Sequence, residues 1–96
     1  MLRGLDPLLH SQLRLAVVSI LMSLDEADFV YLRKKTESTA GNLSVQLDKL
    51  SAAGYISTER VIEGKKTRTL CRMTSKGKQA FEDYVDALKV YLNVKK

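Results

Sequence analysis

Apolar residues at the start of the chain fall on one helical face. Leu9, Leu13, Ala16, Val17, Ile20, Leu21 and Leu24 recur at intervals of four, three and one, the spacing of an amphipathic helix. Asp6-Pro7 is a start signal for it, with Asp6 as cap and Pro7 in the first turn, and a break is expected near His10-Ser11. The acidic cluster Asp25-Glu26-Ala27-Asp28 ends this helix. Asp28 then caps a short second helix, Phe29 to about Lys35, with Phe29, Val30 and Leu32 facing inward. Thr36-Glu37-Ser38 makes a turn. Ser38 is the expected N-cap of a third helix and Gly54 its C′ residue. Between them Ala40, Leu43, Leu47 and Leu50 form an inward stripe, while Asn42, Val45, Gln46 and Lys49 form an outward one.

Beyond Gly54 the period changes. Tyr55 to Ile62 is rich in β-branched residues and predicts a strand. Glu63-Gly64-Lys65-Lys66 predicts a turn, and Thr67 to Met73 a second strand. Thr74 or Ser75 caps a last helix running to about Asn93. The order is helix, helix, helix, strand, strand, helix, without repeat or linker. The fold class is α+β, mainly α, as one domain over 1–96: a helix-turn-helix at about 28–53, a hairpin at about 55–73 and a C-terminal helix at about 75–93.

Composition narrows the chemistry. Ninety-six residues with 45% hydrophobic content suffice for one core, and the 28% charged residues come without low complexity, which argues against disorder. The apolar run Leu15–Leu24 is about half as long as the roughly 20 residues a membrane span needs, so no membrane association is expected. A lone cysteine, Cys71, forms no intrachain disulfide and fits a reducing, cytoplasmic setting. The net charge of +5 is unevenly placed. Residues 1–30 carry two Arg against four acids, a net of −2; residues 31–78 carry eleven Lys/Arg against four acids, a net of +7; residues 79–96 balance, three against three.

The positive middle contains the helix pair and the hairpin. Two short helices joined by a tight turn, the second polar on its outer face, make a helix-turn-helix. A major groove about 12 Å wide admits one α-helix, whose outward side chains reach base edges. Asn42 and Gln46 are amides able to bond adenine bidentately; Val45 can touch a thymine methyl; Lys49 can reach guanine or phosphate. Thr39 and Ser44, at the margins, suit phosphate oxygens, as do Lys34 and Lys35 ending the second helix. Lys65, Lys66 and Arg68 put three cations within four residues at the hairpin tip. Like charges so close repel, and an external anion such as DNA phosphate relieves them. Arg68 is also suited to a narrow minor groove. Each feature has a plainer reading, a solvated helix face or a turn kept soluble by lysines, but together they point to double-stranded DNA.

GNLSVQLDKLSAAGYI, followed by GKKTRTLCRMTSKGKQAF, resembles the short winged-helix transcriptional regulators related to the MarR and ArsR proteins. The first helix, LLHSQLRLAVVSIL, fits their single-domain members, and the resemblance covers roughly residues 8–92. It implies a winged helix-turn-helix with a three-helix core, a two-stranded β-wing and a long C-terminal dimerisation helix. It further implies a homodimeric, sequence-specific DNA-binding regulator, with Asn42, Ser44, Val45, Gln46 and Lys49 reading DNA and Lys65, Lys66 and Arg68 as the wing. Cys71 departs from the pattern, which favours an aromatic there.

The last helix carries more apolar surface than one core needs. Ala80, Tyr84, Ala87 and Tyr91 form one stripe; Phe81, Val85, Leu88 and Leu92 form a second, about 100° further round. A partner's equivalent helix is the expected cover, with Tyr84, Ala87, Leu88, Tyr91 and Leu92 at the interface and the segment Leu5–Leu9 a candidate to share it. Two-fold pairing presents two recognition helices to successive major grooves, about 34 Å apart, so the expected site is pseudo-palindromic. Catalysis has little support: His10 has no nucleophile pattern around it, and Cys71 falls on an inward strand position. One Cys and one His per chain cannot build a metal site alone. The residues name no cofactor and no small-molecule effector. The alternative to a DNA-binding regulator is a winged helix used as a protein-interaction module, with exposed Val45 as the only hint.

Overall fold

The break expected near His10-Ser11 divides the N-terminal apolar run into a turn and a helix. In the computed structural model, which describes residues 4–93, Asp6 starts a turn and not a helix. Its side chain accepts from Leu8 N (2.9 Å) and its carbonyl from Leu9 N and His10 N (3.1 and 2.9 Å). Ser11 is extended, so helix α1 begins at Gln12 and runs to Ser23. The turn is nonetheless anchored. Leu9 is fully buried, the Tyr55 hydroxyl donates to Asp6 Oδ2 (2.5 Å), and His10 Nδ1 pairs with the Tyr84 hydroxyl (2.9 Å).

That anchor has a pH signature. The hydrogen bond to Asp6, together with partial burial and the carboxylate's charge, pushes the Tyr55 hydroxyl from 10.0 up to about 12. A raised folded-state pKa contributes stability below the unfolded value and loses it as pH rises through the folded one. Wild-type stability in urea is therefore expected to fall between pH 10 and 12 more steeply than that of Tyr55→Phe. Parallel curves for the two proteins would show that the bond does not hold in solution.

Ala27–Asp28 forms a two-residue strand, β1, and leads directly into α2 (Phe29–Thr36). Two residues carry no periodic signal, and the acidic character of this segment concealed the strand. Asp28 caps α2 as expected, accepting from Tyr31 N (2.8 Å). Leu32 is buried and Phe29 half-buried, but Val30 is 61% exposed. The inward positions are three apart, and the two residues between them, Val30 and Tyr31, are rotated off that face. Glu37, in the left-handed region (φ 53°), ends α2.

Helix α3 (Ala40–Ala52) is capped by Thr39, whose Oγ1 accepts from Asn42 N (3.2 Å). Ser38, the expected cap, instead shares a hydrogen bond with Thr36 Oγ1 within the turn (2.8 Å). Leu43, Leu47 and Leu50 are buried; Ala40, on the first turn, is exposed. The helix closes in a Schellman motif: Tyr55 N donates to Leu50 O (3.0 Å), and Gly54 N to Ser51 O (2.9 Å). Gly54 takes φ +80°, which glycine adopts without a Cβ clash.

Strands β2 (Ile56–Glu63) and β3 (Lys66–Met73) pair in register from Ile56↔Met73 to Glu63↔Lys66. Gly64 (φ +62°) opens the two-residue loop between them, the pattern of a type II′ turn. β1 adds to the other edge through Ala27↔Cys71 and Asp28↔Leu70, giving an antiparallel sheet of order β1-β3-β2. Cys71, on the central strand, is fully buried in the core where an aromatic was expected. Burial, with the nearby Asp28 charge, raises its thiol to about 11, so it stays a neutral thiol near pH 7.

Helix α4 (Ser75–Leu92) starts against the end of α3. Thr74 Oγ1 accepts from Gly77 N (3.0 Å) and donates to Gly54 O (2.5 Å), while Thr74 N donates to Tyr55 O (3.1 Å). Within α4, Tyr84 and Ala87 are only 4% and 2% exposed in the single chain. This corrects their assignment to a dimer interface: they belong to the protomer's own packing. The second stripe is left half-covered, and Leu92 is 74% exposed. Among the described residues four helices and a three-stranded sheet, mainly helical, make the winged helix-turn-helix architecture expected from the chain.

Candidate nucleic-acid interface

The outer face of α3 stands as a ridge between two hollows. One, of about 420 Å³, lies toward α1 and is bordered by Asn42 and Gln46. The other, of about 370 Å³, lies toward the sheet and is bordered by Ser44, Asp48 and Arg60. On the ridge Asn42, Val45 and Lys49 are exposed and Gln46 half-buried. Thr39 and Ser44 are exposed as well. Thr39 sits where first-turn amides lack intrahelical acceptors, a position that favours an anion.

Gln46 and Asn42 are not independent side chains. Arg14 of α1 donates through Nη1 to Gln46 Oε1 and through Nε to Leu8 O (2.6 Å). Gln46 Nε2 in turn donates to Asn42 Oδ1 (3.0 Å). Arg14 was missing from the sequence-derived site. It is the one Lys, Arg, Asp or Glu between Leu8 and Leu24, an isolation that marks a cation with a specific partner.

The cations divide into two sets. Lys34, Lys49, Lys65, Lys66 and Arg60 are exposed and make no ion pair among the described residues. Lys35 lies over the Tyr31 ring, its Nζ 5.8 Å from the centroid. The three basic residues ending α2, Arg33, Lys34 and Lys35, also complement the negative end of that helix. Arg60 is a second residue that sequence reasoning missed. It shares strand parity with buried Ile56, which directs it toward α3.

Arg68 differs from its expected place at the tip. Its guanidinium donates to Asp28 Oδ2 (3.1 Å from Nε, 2.9 Å from Nη2) and to Glu63 Oε1 (2.8 Å). Asp28, held below the usual carboxylate range by Tyr31 N–H and by Arg68, thus joins β1, the α2 cap and the wing. Arg68 clamps the wing to the body, and the free charge at the tip is Lys65 and Lys66. Arg72 is likewise engaged, with Glu26 (3.2 Å) and Glu59 (3.7 Å).

An exposed second helix of a helix-turn-helix, flanked by a lysine-tipped hairpin, defines the winged-helix class of nucleic-acid-binding domains. The chain belongs to the winged helix DNA-binding domain family, whose model matches residues 13–92. It is 32% identical over 76 residues to an uncharacterised protein of Methanocaldococcus jannaschii, covering 79% of this chain and 83% of that one. Among solved structures it is similar to the transcriptional regulator homologue protein of Pyrococcus horikoshii OT3 (25% identity, TM-score 0.86), over 93% of this chain and 88% of that one. It also shares its fold with Bacillus subtilis PadR in complex with operator DNA (20% identity, TM-score 0.70), over 78% of this chain and 47% of PadR. No described helix is long and apolar enough to cross a membrane.

Proposed function

We propose that this protein is a homodimeric transcriptional regulator that binds double-stranded DNA sequence-specifically. Its 96 residues act as one domain, with α3 in the major groove and the wing tip on the flanking backbone. The observation that carries the reading is the polar ridge of α3, bordered by exposed cations at the end of α2 and on the wing tip that make no ion pair among the described residues. Asn42, Val45, Gln46 and Lys49 read bases; Lys34, Lys35, Thr39, Ser44, Lys65 and Lys66 position the helix on phosphates. The PadR complex with operator DNA is a precedent for this fold on a duplex.

Pairing is supported by α4. In its second stripe Phe81, Val85 and Leu88 are only partly covered and Leu92 is exposed, as is Tyr91 at the end of the first stripe. A helix of 18 residues is about 27 Å long, enough to pair along several turns with its equivalent. A dimer places two α3 ridges on one face of the duplex, so selection from a random oligonucleotide pool is expected to enrich an inverted repeat with half-sites about one helical turn apart. Enrichment of no motif, or of a single unrepeated half-site, would sink the sequence-specific dimer.

Replacing Lys65 and Lys66 by Ala removes four cations per dimer. If all four lie on phosphates, the slope of log affinity against log salt flattens by roughly 3–4, and all sequences weaken alike. An unchanged slope in a binding titration would remove the wing tip from the interface.

A further inference from the structure

The polarity of the two amides on α3 is set from outside that helix. A guanidinium has donors only, so whichever way the Gln46 amide is turned, the atom resting on Arg14 Nη1 is its oxygen. Nε2 is therefore turned to Asn42, where it donates to Oδ1 at 3.0 Å. The Asn42 oxygen is in this way directed along the helix, and its Nδ2 makes no hydrogen bond among the described residues. Arg14 itself is fixed by the Leu8 carbonyl at 2.6 Å. The relay runs one way, from a cation through two amides, and leaves an exposed NH2 group on the reading face. Its first hydrogen bond is charge-assisted and so the strongest of the series.

This changes which base the pair can read. An unconstrained amide pairs with adenine by using both ends, its oxygen accepting from N6 and its nitrogen donating to N7. In the relay each amide oxygen already holds a donor from the protein. Each oxygen keeps a second lone pair but is turned toward its donor within the protein, so the groups most open to an external partner are N–H: two on Asn42 Nδ2 and one on Gln46 Nε2. Guanine presents two adjacent acceptors, O6 and N7, and no donor on its major-groove edge. We propose that Arg14 is a positioning residue that locks Gln46 and Asn42 with their donors outward, so that they select guanine over adenine. The proposal rests on α3 being the reading helix, and it replaces the adenine pairing that amides alone suggest.

The test compares wild type, Arg14→Lys and Arg14→Met on the selected operator, with each half-site base pair varied in turn and binding read by fluorescence anisotropy. Wild type and Arg14→Lys, both with only donors at position 14, are expected to prefer G over A at one position by about tenfold, and Arg14→Met to lose most of that preference. A change confined to one position is something neither a phosphate contact nor a packing role produces. If Arg14→Met weakened all sequences alike and kept the same base preference, the positioning role would be overturned. A second readout needs no DNA. In the free protein the Gln46 side-chain amide resonance in 1H–15N spectra should move in Arg14→Met and stay near its wild-type place in Arg14→Lys. An unmoved resonance in Arg14→Met would refute the relay even if DNA binding holds. Failure of wild type to bind any duplex, with the resonance moving as expected, would refute the DNA-binding reading and leave the relay standing.

Discussion

Gly77→Ala is expected to destabilise the protein by about 3 kcal/mol, an overpacking cost at the upper end of the usual range, and to lower its melting temperature by roughly 12–20 °C for a domain of this size. On an exposed helix the same substitution stabilises, by about 0.5–1 kcal/mol, because alanine loses less backbone freedom than glycine. Here the sign inverts. Gly77 lies in the first turn of α4, and a Cβ at that position falls 2.0 Å from the Tyr55 carbonyl oxygen and 2.8 Å from Met73 Cε. The methionine tip can swing aside. The carbonyl cannot, since it accepts from Thr74 N and follows the Schellman turn that ends α3. Thr74 and Gly77 thus lock the start of α4 onto the end of α3. Gly41 is the internal control: a Cβ there meets nothing within 4 Å, so Gly41→Ala should hold or raise stability. Thermal unfolding followed by circular dichroism distinguishes the two, and a Gly77→Ala protein melting at or above wild type would contradict the tight junction.

The second large effect concerns the dimer. Leu88→Glu combined with Leu92→Glu puts two like charges per protomer on the stripe that α4 leaves only partly covered. The expected result is a folded monomer, because Tyr84 and Ala87, which pack α4 to its own body, are untouched. Affinity for an inverted-repeat operator is expected to fall by about 10²–10⁴, the loss that follows when two linked binding events become separate ones. Affinity for an isolated half-site should change little. Light scattering reads the mass and anisotropy the affinity; a variant that stays dimeric would place the interface elsewhere. Circular dichroism of the double variant checks that Leu88→Glu, at a position packed against the core, has not acted through folding. Leu92→Glu alone, at a 74% exposed position, should weaken pairing without touching that core.

What the sequence made legible follows from how strong each local signal is. The stripes Leu43-Leu47-Leu50 and Asn42-Val45-Gln46-Lys49 are two faces of one helix, and spacing alone separates them. The hairpin was equally clear, since Gly64 sits between two β-branched runs. Elements defined by tertiary contact were not. Strand β1 exists because Ala27 and Asp28 find Cys71 and Leu70, more than forty positions away. Whether Ser38 or Thr39 caps α3 depends on the hydroxyl that Thr36 claims. Arg68 and Lys65 look alike in sequence, and only the fold places Asp28 and Glu63 beside the first of them. Tyr84 and Ala87 lay on an apolar stripe, but spacing does not say which of two stripes a protomer covers for itself. Arg14 was the costliest omission, because a residue in the first helix sets the chemistry of the third.

As proposed, a dimer of this domain holds DNA through the α3 ridge and the lysines around it. This is tested most directly by the anisotropy of a labelled duplex titrated with wild-type protein between 50 and 200 mM salt. If a dimer neutralises about 6–10 phosphates, log affinity should fall linearly with log salt, with a slope between about −5 and −9. Absence of binding at the lowest salt, or binding indifferent to salt, would show that this dimer does not hold DNA through these lysines.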